Sequence, residues 1–229
     1  LYWLIQGDCL RVLPKFKDKS IDLVLTDPPY GQNLGNMPLG KGAKVGKGKR
    51  FAKSIDYGNI DWDEEPLSPQ QFREIQRVSK NQIIFGGNYF SNILPVSRGW
   101  MVWDKKKGVS DDYADCELIW TSFDIVPRIF YHRWRGCIRD SEKNIKRVHP
   151  TQKPEAVIKW LLEMFSKESD VVLDPFLGSG TTMKVCQDLG RSCIGIEINP
   201  EYCEIVKKRC FGRQFLDREV EYKFEVFDS

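Results

Sequence analysis

Asp27-Pro28-Pro29-Tyr30 sets a carboxylate, two rigid prolines and an aromatic ring side by side. Far downstream, Asp174-Pro175-Phe176-Leu177-Gly178-Ser179-Gly180-Thr181-Thr182 offers small residues, where a ligand can come close to backbone N–H groups. A carboxylate accepts N–H bonds and holds developing positive charge. An aromatic face stacks on a planar group. Together the two segments describe a carboxylate–aromatic pocket beside a glycine-rich loop, chemistry suited to group transfer onto a flat, nitrogen-bearing substrate.

Each segment follows an apolar, β-branched run, Ile21-Asp22-Leu23-Val24-Leu25-Thr26 and Val171-Val172-Leu173. Both runs read as buried parallel strands whose carboxyl ends carry the chemistry, the place where open α/β sheets bind ligands. Strands are also expected at the start of the chain up to Gly7-Asp8, over 82–85, 100–103 and 193–197. Helices are expected around 10–16, from Ser68-Pro69 onward, over 89–94, from Pro154 with a stripe of Val157, Ile158, Leu161, Leu162 and Phe165, over 182–189 and over 200–210. Residues 116–123 and 126–131 are expected to pair as an antiparallel hairpin at the sheet edge. The alternation predicts an α/β fold with a doubly wound, mostly parallel sheet, and the 229 residues suit one domain, 1–229.

Composition narrows the function classes. No apolar run reaches membrane-spanning length, and the opening Leu1-Tyr2-Trp3-Leu4-Ile5 reads as a strand rather than a leader. The 7 cysteines form no C-x-x-C pair, so reduced thiols in a cytosol and no metal site are expected. The formal charge of +3 says little, but its distribution is uneven. Lys41, Lys44, Lys47, Lys49 and Arg50 fall in a glycine-rich stretch within 34–56, expected to be a mobile basic loop. Arg128, Arg133, Arg135, Arg139, Lys143, Lys146 and Arg147 are interleaved with Phe130, Tyr131 and Trp134 in 128–147. One basic run is ordinarily a solvated face; two, one of them with aromatics and the other opening just after Tyr30, point to a polyanion with stackable bases.

The turn after Asp174 has G-x-G without the third glycine of a dinucleotide fingerprint and without the lysine of a P-loop. Glu197 ends the next strand, where it can accept hydrogen bonds from two ribose hydroxyls or cap the helix that starts at Pro200.

The pair DPPY and DPFLGSGTT, with His149-Pro150-Thr151-Gln152-Lys153-Pro154 between them, resembles the amino-methyltransferases that modify adenine N6 or cytosine N4 in DNA. The order, catalytic motif first and glycine motif last, is similar to the permuted β-type group, and the resemblance covers nearly the whole chain. It implies a Rossmann-like methyltransferase fold with one antiparallel strand, and S-adenosylmethionine as cofactor. It further implies that Asp174, Phe176, Gly178, Ser179, Gly180 and Thr181 surround the methionine part. Glu197 would hold the ribose, Asp8 and Cys9 would meet the adenine ring, and Thr151 and Lys153 would lie near the methionine carboxylate. His149 receives no catalytic role.

On that reading the substrate is an exocyclic amine whose lone pair is delocalised into its ring. Asp27 accepts one N–H and the Pro28 carbonyl the other, favouring a tetrahedral, positively charged nitrogen, while Pro28 and Pro29 preorganise the turn. Tyr30 is expected to stack on the base, the plainer alternative being core packing with its hydroxyl bonded. The expected activity is N6-adenine methylation of DNA with a short or relaxed recognition sequence. Cytosine N4, or a nucleic-acid-binding protein with a vestigial pocket, are the competing readings. DNA is the expected partner, with a cognate restriction endonuclease as a further candidate, and the setting is the cytoplasm.

Overall fold

The computed structural model describes residues 1–32, 65–105, 114–135, 138–143, 145, 148, 151–212 and 221–227. Its strands are β1 (Tyr2–Gln6), β2 (Ile21–Thr26), β3 (Ser79–Phe85), β4 (Trp100–Asp104), β5 (Cys116–Thr121) and β6 (Arg128–Tyr131), then β7 (Trp134–Arg135), β8 (Ile138–Arg139), β9 (Val171–Asp174), β10 (Ser192–Glu197) and β11 (Tyr222–Val226). The helices are α1 (Cys9–Val12), α2 (Pro69–Val78), α3 (Glu155–Phe165), α4 (Thr181–Asp188) and α5 (Pro200–Cys210). Nine strands form one sheet in the order β11-β1-β10-β9-β2-β3-β5-β4-β6, and β7 pairs with β8 apart from it. Every neighbour in the large sheet is parallel except β5, which runs against both β3 and β4.

Alternating side chains divide the core into two layers. Leu4, Leu23, Leu25, Ile83, Phe85 and Val172 point into one, covered by α3, α4 and α5 through Val157, Leu161, Met183 and Val206. Ile5, Ile21, Val24, Ile84 and Leu173 point into the other, covered by α1 and α2 through Val12, Phe72, Ile75 and Val78. Leu23, Val24 and Leu25 are almost fully buried, each contributing roughly 1.5–3 kcal/mol by burial. Helix α2 starts where its sequence says: Ser68 Oγ accepts from the Gln71 N–H at 3.2 Å and Gln71 Oε1 accepts from the Ser68 N–H at 2.8 Å, with Pro69 at the first helical position.

The chain leaves β2 toward β3 on one side and β9 toward β10 on the other, so the strand order reverses between β2 and β9. These two are direct parallel neighbours, with Leu23 opposite Val172 and Val24 opposite Leu173. A reversal of this kind opens a crevice beyond the strand ends, and it lies between Asp27 and the glycine turn.

Two expectations are corrected. Residues 116–123 and 126–131 do not pair with each other: β5 inserts between β3 and β4, and β6 adds to the far side of β4 in parallel. Alternation identifies a strand but is blind to its partner, and β5 takes two earlier strands, β3 and β4, as its antiparallel neighbours. The second difference is β11, unexpected from the sequence reading. Its Tyr222, Phe224 and Val226 alternate with Lys223 and Glu225, and it lies parallel to β1 at the sheet edge.

Candidate active site

A cavity of about 440 Å³ fills the crevice, lined by Asp27 and Pro29 on one side and by Phe176, Gly178, Ser179 and Glu197 on the other. That size is in the range of small-molecule sites.

The glycine turn is held by its own neighbourhood. The Leu177 N–H donates to the Ile196 carbonyl at 2.9 Å, folding the turn back on β10. Gly180 precedes α4 with φ of +82°, and a Cβ there would stand 3.1 Å from Val206, so both backbone and space call for glycine. Glu197 Oε2 accepts from the Gly178 N–H at 2.7 Å and Oε1 from the Asn199 N–H at 2.7 Å. Burial pushes its carboxyl up to about 7, against those two hydrogen bonds. Asp174 faces the protein: Oδ1 accepts from Thr26 Oγ1 at 2.7 Å and the Phe176 N–H at 3.1 Å, Oδ2 from Thr182 Oγ1 at 2.7 Å. Burial raises it to about 6 despite these donors. Asp174 thus ties the end of β2 to the turn after β9.

The proline turn is held from farther away. The Pro29 carbonyl accepts from the Leu67 N–H at 3.2 Å. Asp27 Oδ1 accepts from the Tyr30 hydroxyl at 2.6 Å and Oδ2 from Lys153 Nζ at 2.6 Å. The Tyr30 ring stacks on Tyr89, with centroids 4.7 Å apart, and meets Phe90 edge-on. Its seat depends on Gly86, which has φ of +66° and where a Cβ would stand 2.4 Å from the ring. Tyr30 is therefore packed with its hydroxyl bonded rather than presented to the cavity for the expected stacking, and neither Tyr30 nor the buried Pro28 lines the cavity.

Lys153 lines the cavity, but its ammonium is engaged by two carboxylates, Asp27 at 2.6 Å and Glu117 at 3.3 Å. Glu117 also pairs with Lys105 at 2.8 Å. Burial pulls the Lys153 ammonium down, and Asp27 with Glu117 outweigh it, so it stays charged. Burial pushes Asp27 above the ordinary carboxylate value against the pull of Lys153, with the like charge of Glu117 adding to the push. Glu117 ends below its ordinary value, because Lys153 and Lys105 overcome the cost of burial. Glu117 had no role in the sequence reading; a lone acidic residue opening an apolar strand carries no signal of its partners.

Asp8, Cys9, Thr151 and Thr181 all line the same cavity. Asp8 caps α1 by accepting from the Leu10 N–H at 2.9 Å. Burial pushes the Cys9 thiol up to about 12, so it stays protonated. Lys41, Lys44, Lys47, Lys49, Arg50 and His149 lie outside the described residues. In the second basic segment Arg133 is bonded to Asp140 at 2.8 Å. Arg139 donates to the Ile145 carbonyl at 3.0 Å and lies 4.9 Å over Trp134; of Arg135 the backbone alone is described. No described helix is long and apolar enough to cross a membrane.

A profile of the DNA methylase family matches residues 76–208. The Type II methyltransferase M.HpaI of Haemophilus parainfluenzae is 32% identical over 263 aligned residues, taking in 99% of this chain and 76% of that protein. The solved M1.HpyAVI–SAM complex matches with a TM-score of 0.58 and 21% identity, over 91% of this chain and 100% of that one. PvuII DNA methyltransferase, described as cytosine-N4-specific, gives 0.59 and 18% over 96% and 90% of the two chains. The two structures share the fold, and the first two matches carry more: the chain belongs to the DNA methylase family.

Proposed function

We propose that this protein methylates the exocyclic N6 amine of adenine in DNA, with the base turned out of the duplex toward Asp27. The observation that carries the reading is a single cavity lined by both Asp27 and the glycine turn, at the ends of adjacent strands. Two separated sites could not bring a methyl donor and an acceptor together.

The cavity suits S-adenosylmethionine in its donor set. Glu197 uses one lone pair per oxygen on backbone N–H groups and keeps others for ribose hydroxyls. Cys9, Leu10, Phe176 and Ile198 provide apolar wall for an adenine ring. Thr151, Ser179 and Thr181 offer hydroxyls toward the methionine part. Lys153, shared between Asp27 and Glu117, acts on the acceptor side in this reading rather than as a dedicated partner of the methionine carboxylate. When bound, S-adenosylmethionine supplies an electrophilic methyl group on a sulfonium sulfur.

The remaining work falls to Asp27. Tyr30 and Lys153 hold its two oxygens in fixed positions, so a remaining lone pair can accept an amine N–H without reorganisation. The second N–H falls to the backbone of the proline turn, where Pro29 rather than Pro28 lines the cavity. Both acceptors would favour the pyramidal nitrogen and the positive charge it gains as its bond to the methyl carbon forms and the sulfur–carbon bond breaks, leaving a neutral thioether. The charge is lost when the amine proton passes to solvent. Tyr30 acts by fixing Asp27, with its stack on Tyr89 extending toward an incoming base. The lysine-rich stretch in 34–56 and the segment 128–147 are the proposed DNA contacts. The choice of adenine over cytosine rests on the family resemblance, in which aspartate at the head of the proline turn leans to adenine and serine to cytosine.

Incubation with labelled S-adenosylmethionine and unmethylated DNA, followed by nucleoside mass spectrometry, tests the reading. N6-methyl-2′-deoxyadenosine is expected. N4-methyl-2′-deoxycytidine would transfer the mechanism to the other amine, and no labelled nucleoside at all would leave a binding protein.

A further inference from the structure

From the cavity wall at Asp27 and Lys153 back to Glu117 and Lys105, four charged side chains alternate in sign. Lys105 Nζ is 2.8 Å from Glu117 Oε1, Glu117 Oε2 is 3.3 Å from Lys153 Nζ, and Lys153 Nζ is 2.6 Å from Asp27 Oδ2. Lys153 and Glu117 keep 9% and 17% of their side-chain surface exposed. Glu117 does not line the cavity. Its route to the site is topological. Because β5 alone is reversed, its first residues lie at the end of the sheet where the parallel strands finish, with Glu117 opposite Trp103 and Cys116 opposite Asp104. Lys105 directly follows β4 and reaches the same rim.

A buried ion row is a poor source of stability, since an apolar replacement of like volume does as well or better. Its placement against Asp27 gives it a different use. A lysine bonded to Asp27 alone would take up the charge that must meet a cationic nitrogen. With Glu117 on the other side, the Lys153 ammonium is shared and can orient Asp27 without neutralising it.

We propose that Glu117 is a positioning residue for methyl transfer: through Lys153, and balanced by Lys105, it sets both the orientation of Asp27 and the negative charge Asp27 offers the amine. The proposal deepens the function given above and rests on Asp27 as the amine acceptor. Among the described residues the charged and titratable groups acting on Asp27 are Lys153, Glu117 and Tyr30, with Asp174 close enough to feel its charge. Glu117 in turn feels Lys153 and Lys105 most strongly, along with the like charge of Asp27 and the nearby Tyr30 hydroxyl.

The test is the pH dependence of kcat for the full chain on unmethylated DNA, in wild type, Glu117→Gln and Lys105→Gln. Glu117→Gln removes a like charge and leaves Lys153 to Asp27 alone. Its acid limb should move down by about one pH unit, with kcat on the plateau falling roughly 10- to 100-fold and KM for S-adenosylmethionine and DNA staying within a few fold. Lys105→Gln exposes Asp27 to an uncompensated Glu117 and should move the limb upward. Opposite shifts support the proposal. Limbs that stay put, or move the same way in both variants, overturn it in favour of a purely structural ion row. Should Glu117→Gln fail to fold, Lys105→Gln decides alone by the sign of its shift. A wild-type chain that forms no methylated nucleoside, or an Asp27→Ala variant that stays active, would instead sink the functional reading on which this one stands.

Discussion

The glycine turn and the proline turn sit at the ends of neighbouring strands, yet they are held in different ways. The first is built from nearby sequence: Glu197 caps the Gly178 N–H from the next strand, Asp174 braces its own loop through Phe176 and Thr182, and Gly180 opens α4. The second is assembled across the chain, with Asp27 fixed by Lys153, Lys153 by Glu117, and Tyr30 seated over Gly86. Where the group to be fixed is backbone, local hydrogen bonds suffice. A carboxylate that must stay charged and aimed while half-buried needs partners that short-range sequence cannot supply.

That contrast can be broken most sharply at Asp27. Asp27→Ala should lower methyl transfer by roughly 10²–10³-fold or more, with the affinity for S-adenosylmethionine changed only a few fold, since the cofactor side is held separately. Single-turnover rates with labelled donor, beside calorimetric titration, measure both; a parallel loss of binding would mean the two turns are one unit. Gly86→Ala comes next. A Cβ at 2.4 Å from the Tyr30 ring on a backbone of positive φ should cost about 1–3 kcal/mol and displace Tyr30. Urea unfolding and activity report the two effects, and unchanged values would show that Tyr30 can move freely.

Thr26 at the end of β2 donates to Asp174 at the end of β9, which ties the two strand ends together. Thr26→Val should cost roughly 1–3 kcal/mol in stability by leaving a buried acceptor short of a donor, and should weaken cofactor binding with it. Intact binding in a destabilised variant would limit Asp174 to folding. Titration separates the halves further. Burial raises Asp174 to about 6 and Glu197 to about 7, so the folded chain holds these protons more tightly than the unfolded one. Their contribution to stability is present below the ordinary carboxylate range and is lost as pH rises through about 6 and 7. S-adenosylmethionine affinity should move the opposite way, tightening as Glu197 ionises through about 7 and becomes the better acceptor, and Glu197→Gln should flatten that dependence in calorimetric titrations at several pH values. The smallest effect is expected at Arg133→Ala: its exposed pair with Asp140 should contribute under about 1 kcal/mol to thermal stability, while DNA affinity falls with a shallower salt slope if this segment grips phosphate.

Much of this molecule is legible in its residues. Apolar runs ending in DPPY and DPFLGSGTT mark two strand ends, Ser68-Pro69 with Gln71 marks the start of α2, and the stripe from Val157 to Leu162 marks the buried face of α3. These are local signals, because period, capping and turn chemistry act over a few residues. Strand partnership is not local. The alternation that identifies β5 and β6 does not name their partners, and the alternating tail becomes the strand β11 because β1 presents it an edge.

What the sequence alone determined was therefore most of the elements, with β7, β8 and β11 excepted, together with the family resemblance and the residues at the two turns. The tertiary structure decided that β2 and β9 are neighbours, that the one reversed strand carries Glu117 to the rim, and that Lys153 is shared between two carboxylates. Buried charges choose partners by distance and desolvation in three dimensions, and neither quantity is written along the chain.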